Sequence, residues 1–169
     1  VELAKGHNAA GPLRGGKYSA FEGGTRVPWL ARWPQVIKPG TVSDALICQI
    51  DMMASFAHFF QQKTESEEAV DSFNVMDAML GKSQTGRTWL IKQGGALSIT
   101  QGNWKYIEPR EGKAVAELTN IETGANPKPQ LYDLSKDIGE KNNVADKYPA
   151  KVKAMASELE KVRDAGRSR

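Results

Sequence analysis

The residues best suited to chemistry lie in two glycine-rich segments near the start of the chain: residues 11–17, with the sequence GPLRGGK, and residues 21–28, with the sequence FEGGTRVP. Glycine lets the backbone pass where a Cβ atom would clash, so a loop built from it can approach a ligand closely. Lys17 ends the first segment, and its ammonium group is a compact point charge that suits an oxyanion. The two segments therefore predict a loop that presents Lys17 to a sulfate or phosphate group.

The residue after the lysine distinguishes this loop from the phosphate-binding loop of nucleotide-binding proteins. In that loop the lysine is followed by serine or threonine, and a helix begins there. Here Tyr18 follows Lys17, and no helical pattern starts at this point. The apolar run at 27–33 is instead typical of a buried strand. We therefore predict a loop that leads into a strand.

Other side chains are also candidates for chemistry, and each has a structural explanation as well. His7 could donate a hydrogen bond to a substrate, since imidazole titrates near neutral pH, or it could be an exposed loop residue without a role. Cys48 lies among apolar residues, which favours a buried, unreactive thiol. Arg26 is expected to form a structural ion pair with Glu22, and the role of Arg14 stays open.

The glycine-rich segments and a series of shorter matches resemble the sulfatase family, which includes arylsulfatases and glycosaminoglycan sulfatases. The shorter matches cover most of the chain and are WP at 33–34, KPGT at 38–41, ID at 50–51, QGNWKY at 101–106, LYDL at 131–134, Asp137, GE at 139–140 and NVA at 143–145. In that family the lysine of the Gly-Gly-Lys element contacts the sulfate group that is cleaved. The resemblance therefore implies that Lys17 is a catalytic residue.

The resemblance also implies cofactors that other parts of such an enzyme supply. Sulfatases of this type attack sulfur with the hydrate of formylglycine, made from a cysteine or serine in a Cys/Ser-x-Pro/Ala-x-Arg motif, while a calcium ion polarises the sulfate. Cys48 has no proline or arginine at the required positions. The calcium-binding aspartates of the family lie upstream of the glycine-rich segments. We expect the C-terminal part of a type I sulfatase, with no metal ligand of its own and no activity in isolation.

For the fold, the resemblance implies an α/β to α+β structure, the C-terminal part of an alkaline-phosphatase-like fold. Residues 1–84 would form the end of the α/β catalytic domain, and residues 85–169 a C-terminal α+β subdomain with a small antiparallel sheet and an amphipathic helix. The implied partners are the N-terminal remainder of the sulfatase and a sulfated sugar or aryl sulfate, with His7 as a substrate-binding residue. The implied location is periplasmic or secreted.

In the first segment, the sequence pattern predicts two helices after the strand at 27–33. One helix, at 51–60, would begin with Asp51 as its N-cap. Its apolar face is predicted to contain Met53, Phe56, Ala57 and Phe60. A short helix at 73–80 would end at Gly81, a residue suited to a helix C-cap.

In the second segment, aromatic and β-branched runs predict an antiparallel sheet. The predicted strands lie at 88–91, 97–100, 104–107 and 130–134, with a tight hairpin at 101–103 and a possible edge strand at 115–118. A helix from Pro149 to about Ala165 follows, because proline suits the first helical position. The aromatic side chains of the strands could form a sugar-binding platform, but alternation favours packing against this helix.

Composition limits the remaining functions. The chain has 169 residues, 40% of them apolar and 25% charged, with a net charge of +3, which is typical of a globular protein. The lysines alternate with acidic residues, so the one-sided basic stripe of a nucleic-acid-binding protein is missing. No apolar run approaches the roughly 20 residues that span a membrane. We therefore expect neither nucleic-acid binding nor a membrane span.

Two further functions stay open. A non-catalytic module that binds sulfated glycans would use the same lysine without performing chemistry. A phosphoryl-transfer enzyme of the alkaline-phosphatase superfamily would bring further metal-binding histidines and aspartates late in the chain. Neither His58 nor the C-terminal tail offers such a cluster, so this second function ranks last.

Overall fold

The computed structural model describes residues 7–169, and the chain divides into two compact units. The first unit contains the described residues up to Val27 together with Ile91–Glu160, and the second contains Pro28–Leu90 and Lys161–Arg169. The chain therefore leaves the first unit after the glycine-rich segments and returns to it at the sheet.

The two units differ from the two segments that the sequence predicts, 1–84 and 85–169. The start of the described chain packs with the later sheet region, and the N–H of Ala20 donates a hydrogen bond of 2.9 Å to the carbonyl of Thr123. Residues 1–6 lie outside the described residues. The two segments stay a prediction about the domains of a longer protein.

From residue 51 onward the predicted helices and strands occur in the predicted order, and two short elements that were not predicted lie at 22–25 and 121–122. The strands are β1 (Trp89–Gly94), β2 (Ala96–Gln101), β3 (Trp104–Ile107), β4 (Val115–Ala116), β5 (Ile121–Glu122) and β6 (Gln130–Asp133). The helices are α1 (Glu22–Thr25), α2 (Asp51–Phe59), α3 (Met76–Met79) and α4 (Pro149–Ala165). One sheet has the strand order β1-β2-β3-β6, and β4 pairs with β5 in a second, two-stranded sheet.

The predicted hairpin between β2 and β3 is confirmed. The strands are antiparallel with Gln101 opposite Trp104, which leaves a two-residue turn between them. Gly102 in this turn has a φ of 55°, a left-handed conformation that glycine adopts without a steric penalty. Strand β6 then pairs antiparallel with β3, as expected of the strand that closes the sheet.

Helix α4 begins at Pro149 and ends at Ala165, as predicted. Its apolar stripe is buried at Met155 and Leu159. The ring of Trp104 lies 5.1 Å from that of Tyr148, between ring centres, which supports structural packing of this aromatic residue. Within residues 7–169, no helix has the length and apolar composition that crossing a membrane requires.

The prediction of a buried strand at 27–33 is wrong. These residues are exposed and form no β-ladder with any other described residue; Leu30 is 91% exposed. An apolar run predicts that a segment needs cover, but a strand also needs a neighbour that accepts and donates its backbone hydrogen bonds. None of the described residues provides that neighbour.

Two predictions about α2 are also wrong. Its buried residues are Asp51 and Ser55, while the predicted apolar face is largely exposed, with Met53 at 60% and Phe60 at 63%. Asp51 is the first helical residue, and Ile50 occupies the N-cap position. The reason is a buried ion pair that turns the carboxylate of Asp51 towards the interior.

The ion pair between Asp51 and Arg87 organises the second unit. Both side chains are almost fully buried, and Arg87 Nη2 lies 2.6 Å from Asp51 Oδ1 while Nε lies 2.8 Å from Oδ2. The same carboxylate accepts the backbone N–H groups of Cys48 at 2.9 Å and Phe73 at 3.0 Å. A fully hydrogen-bonded carboxylate of this kind holds the start of α2 against the chain that precedes α3.

Replacing Asp51 with alanine should strongly destabilise the protein. The change leaves the buried guanidinium of Arg87 without its partner, which costs roughly 3–5 kcal/mol of unfolding free energy. Urea unfolding measures this loss. The exposed Asp44 provides the control, because Asp44→Ala should change stability by less than about 0.5 kcal/mol. Equal effects of the two substitutions would contradict the organising role of the pair.

Candidate functional site

The glycine-rich segments fold into a tight loop, residues 14–24, here called the glycine loop. The N–H of Gly23 donates a hydrogen bond of 2.8 Å to the carbonyl of Arg14, which closes the loop on itself. A Cβ atom on Gly24 would lie only 2.2 Å from the carbonyl oxygen of Ser19. Glycine is therefore required at this position for the loop to close.

The closed loop is seated against the end of β1. A Cβ atom on Gly94, the last residue of β1, would lie 2.1 Å from the carbonyl oxygen of Ser19. Ser19, Ala20 and Phe21 are all buried, and the Phe21 ring contacts Tyr132 of β6 edge to face at 6.1 Å between ring centres. The second half of the loop is thus part of the core of the first unit.

Four charged residues fix the loop to the sheet, the buried Glu22, Lys105 and Glu140 and the mostly buried Lys92, here called the buried charge cluster. Lys105 Nζ lies 2.9 Å from Glu22 Oε1 and 2.9 Å from Glu140 Oε1. Lys92 also donates to Glu22 Oε1. The backbone N–H of Glu22 donates a hydrogen bond of 2.6 Å to Glu140 Oε2. With all four groups ionised, the two carboxylates and the two ammonium groups balance, and the cluster has no net charge.

Burial raises the pKa of the two carboxylates in the cluster, whereas the nearby positive charges lower it. Burial favours the protonated form of Glu22, but the charges and hydrogen bonds of Lys105 and Lys92 outweigh it and lower the pKa of Glu22 to about 2. At Glu140 burial dominates, so its pKa is raised despite the nearby Lys105. Burial and the repulsion from Lys105 lower the pKa of Lys92. Glu22 is therefore the strongly ionised member of the cluster.

Arg14 has a structural role in the described fold. Its Nη2 atom lies 2.6 Å from Glu122 Oε1, and its Nη1 atom donates a hydrogen bond of 2.6 Å to the carbonyl of Glu140. The guanidinium carbon lies 4.0 Å from the centre of the Phe21 ring. Its hydrogen bond with Glu122 raises the pKa of Arg14.

The predicted ion pair between Arg26 and Glu22 is wrong. The carboxylate of Glu22 lies in the buried charge cluster, where its Oε1 atom forms ion pairs with both Lys92 and Lys105, whereas Arg26 is exposed. The lysines come from β1 and β3, whereas the prediction considered only residues close to Glu22 in the sequence.

Lys17 and Tyr18 form the exposed tip of the glycine loop. Gly16 before them and Ser19 after them are buried, whereas Lys17 is exposed and Tyr18 is 73% exposed. Lys17 Nζ lies 5.0 Å from the centre of the Tyr18 ring. The structure thus leaves the ammonium group of Lys17 open to a ligand, outside the buried charge cluster.

The remaining candidates for chemistry in this chain are His7, Cys48 and a metal site. His7 is exposed and lies just before the hydrogen-bonded turns of residues 8–13. Cys48 is a free, partly buried cysteine rather than a fully buried one. Among residues 7–169, no group of three or more histidine, cysteine, aspartate or glutamate side chains could hold a metal ion, so the described residues do not fit a calcium site.

Known proteins resemble the chain over almost its whole length. It is 43% identical over 164 residues to the N-acetylgalactosamine-6-O-sulfatase of Bacteroides thetaiotaomicron, a match that covers 96% of this chain and 32% of that protein. It is 30% identical over 158 residues to human arylsulfatase A, covering 85% of this chain and 31% of that protein. The chain belongs to the sulfatase family. It spans about a third of the length of these curated relatives and matches their C-terminal part.

Solved structures lead to the same conclusion about the fold. One, from work on glycosaminoglycan metabolism by Bacteroides thetaiotaomicron, superposes with a TM-score of 0.91 at 43% identity, covering 95% of this chain and 34% of that one. Another, Ps i-CgsB in complex with k-i-k-neocarrahexaose, gives a TM-score of 0.70 at 25% identity, covering 94% and 33%. No family model matches the chain. The predicted fold, the C-terminal part of a sulfatase with a small antiparallel sheet and a C-terminal helix, is confirmed.

Replacing Glu22 with glutamine should remove an acid-sensitive part of the stability. The pKa of Glu22 is about 2 in the folded protein against an ordinary value of 4.5. Because the folded value is the lower one, Glu22 contributes stability that is fully present above pH 4.5 and is lost as the pH falls towards 2. That contribution is roughly 3 kcal/mol at neutral pH.

Urea unfolding at several pH values between 7 and 2 tests this expectation. The stability gap between wild type and Glu22→Gln should be widest at pH 7 and should narrow below pH 4.5. Glu117→Gln is the matched control, because Glu117 forms an exposed pair with Lys113 and its loss should change stability little. A gap that stays constant over the whole pH range would contradict the assignment.

Proposed function

We propose that this chain is the C-terminal part of a longer sulfatase, a sulfuric-ester hydrolase, and that it supplies Lys17 to the sulfate-binding site of that enzyme. The family membership supports the reaction class, and the coverage of about a third of each relative supports a larger parent protein. The observation that carries the role of Lys17 is its exposure at the tip of a loop that buried residues flank, Gly16 and Ser19, and that ion pairs of Arg14 and Glu22 hold in place.

The proposed role of Lys17 is electrostatic. When a sulfate ester is hydrolysed, the bond between sulfur and the alcohol oxygen breaks, and negative charge builds up on the departing oxygen. A cation already in place stabilises that charge without having to reorganise during the reaction. The buried charge cluster is neutral by itself, so it holds the loop without compensating the charge of Lys17.

The remaining catalytic groups belong, in this proposal, to the rest of the intact enzyme. Formylglycine would supply the nucleophile and calcium would polarise the sulfate, as in the family. The described residues of this chain offer neither a metal cluster nor the formylglycine motif. His7, exposed ahead of the glycine loop, would contact the substrate beside its sulfate group. The enzyme would work in the periplasm or outside the cell.

We further propose that the rest of the sulfatase covers an exposed apolar face of the second unit, formed by residues 28–33 and the outer side of α2. Trp33 packs edge to face on Phe59 at 5.4 Å between ring centres, and Leu30 beside it is 91% exposed. Exposed apolar side chains that lie together in this way mark interaction surfaces. The backbone at 28–33 also lacks a ladder partner among the described residues.

Replacing Lys17 with alanine in the intact sulfatase should lower kcat by about 10²–10³-fold, the loss typical of one preorganised group that stabilises transition-state charge. Hydrolysis of N-acetylgalactosamine 6-sulfate, the sulfated sugar in the name of the 43% identical relative, measures the effect. Lys128→Ala is the control, because Lys128 is an exposed lysine of the same unit. It should leave kcat unchanged.

Two outcomes would contradict the proposal for Lys17. A Lys17→Ala enzyme with wild-type kcat and KM would show that Lys17 has no role in the sulfate-binding site. An intact wild-type protein that binds sulfated sugars in a salt-sensitive manner, but hydrolyses no sulfate ester, would favour the non-catalytic glycan-binding module instead.

Hydrolysis of an aryl sulfate by this chain in isolation would contradict a separate part of the proposal, namely that the rest of the enzyme supplies the nucleophile.

Replacing Leu30 with aspartate should destabilise the intact sulfatase, because the charge would be buried where the rest of the enzyme covers this face. Leu118→Asp is the matched control: Leu118 is 100% exposed and lies outside the apolar face. The thermal midpoint of the intact protein should fall for Leu30→Asp and stay near the wild-type value for Leu118→Asp. Equal tolerance of both substitutions would show that the face is not covered.

A further inference from the structure

Tyr18 combines two properties that rarely occur together: a left-handed backbone and a large exposed aromatic ring. Its φ is 74°, and its side chain is 73% exposed. Positive φ is a genuine outlier for a bulky residue, because the Cβ atom crowds the backbone. The other non-glycine residues with positive φ within residues 7–169 are all small or polar, namely Gln35, Gln61, Ala69, Asn120 and Glu140.

The surrounding loop imposes this conformation on Tyr18. Gly16 and Ser19 on either side are buried, and the N–H of Ser19 donates a hydrogen bond of 2.9 Å to the carbonyl of Gly16, which closes a turn around the tip. Glycine would occupy the same position without strain. Such strain persists when the surroundings determine the conformation, and it often occurs at functional sites. Folding alone does not require a tyrosine at this position.

The position of the ring suggests what it contacts. Lys17 Nζ lies over the Tyr18 ring, 5.0 Å from its centre, so a ligand whose charged group binds the ammonium has the ring within reach of its neighbouring atoms. The face of a sugar ring is apolar and flat, and an aromatic ring offers it a large contact area at low conformational cost. A sugar with a sulfate ester has the two chemical parts that this pair fits.

We propose that Tyr18 is a substrate-binding residue that packs against the sugar ring whose sulfate ester contacts Lys17. The proposal rests on the proposed sulfatase function and goes further, because it makes the substrate a sulfated carbohydrate and assigns the contact to its ring. Lys17 would bind the sulfate group, and Tyr18 would select the sugar. The two residues therefore have separable effects on binding.

The test compares Tyr18→Gly and Tyr18→Phe in the intact enzyme. With N-acetylgalactosamine 6-sulfate, Tyr18→Gly should raise KM by about tenfold, the effect of losing roughly 50 Å² of apolar contact. Tyr18→Phe keeps the ring and should stay within about twofold of wild type. The inhibition constant of inorganic sulfate, which has no sugar ring, should be unchanged in both variants and should rise for Lys17→Ala.

Control measurements separate binding from folding. Tyr18→Gly should have a thermal midpoint no lower than wild type, because glycine adopts positive φ without a steric penalty. Gln35→Gly is the matched control: Gln35 is exposed, has a φ of 70° and belongs to the second unit. This variant should leave KM unchanged.

Each alternative result has a distinct meaning. If the wild-type enzyme is active and Tyr18→Gly has the same KM, the Tyr18 proposal is overturned while the proposed sulfatase function stands. If sulfate inhibition weakens as much as sugar binding, Tyr18 acts by orienting Lys17, and the sugar contact is wrong. A wild-type enzyme that hydrolyses 4-nitrophenyl sulfate but no sulfated sugar would overturn the carbohydrate assignment. An intact wild type that hydrolyses neither would overturn the proposed function, and the Tyr18 proposal with it.

Discussion

The first unit depends on the shared carboxylate of Glu22. Its Oε1 atom accepts hydrogen bonds from both Lys92 and Lys105, and Lys105 also contacts Glu140. One buried oxygen therefore joins the glycine loop to two strands, and the lysine of β3 extends the connection to a later loop. A buried charge is tolerable only when oppositely charged partners surround it. If the loop left the sheet, these charges would be exposed or would lose their ion-pair partners. The contacts with the sheet therefore fix the geometry of the loop.

This arrangement separates the charge that holds the loop from the charge that the loop presents. The cluster neutralises itself in the interior, while Lys17 lies at the exposed tip, with its ammonium group 5.0 Å from the centre of the Tyr18 ring. Glycine at position 24 makes the tight closure possible, because no side chain fits between the two halves of the loop. A rigid base and an exposed cation are the two conditions that electrostatic binding of an oxyanion needs.

The sequence predicted the elements whose causes are local, and it failed where the cause lies far along the chain. The β2–β3 hairpin and helix α4 follow from alternation, turn residues and an initial proline, so both were predicted. Lys105 and Glu22 are 83 residues apart, and their pairing was missed. Strand alternation held a clue, because Lys105 and Ile107 share one face of β3 and both are fully buried. The apolar run at 27–33 predicted that these residues are buried, but the pattern contains no information about which residues would pack against them.

The order of the buried contacts along the chain also bears on how the protein is made. The N–H of Glu22 donates to a carboxylate 118 residues further on, and the chain visits the second unit before it returns to the first. During synthesis from the N-terminus, the glycine loop leaves the ribosome long before the groups that neutralise Glu22. The hydrogen bond from the N–H of Glu22 can form only after Glu140 has emerged. Within this chain, the segment proposed to bind sulfate is thus translated before the residues that hold it in place.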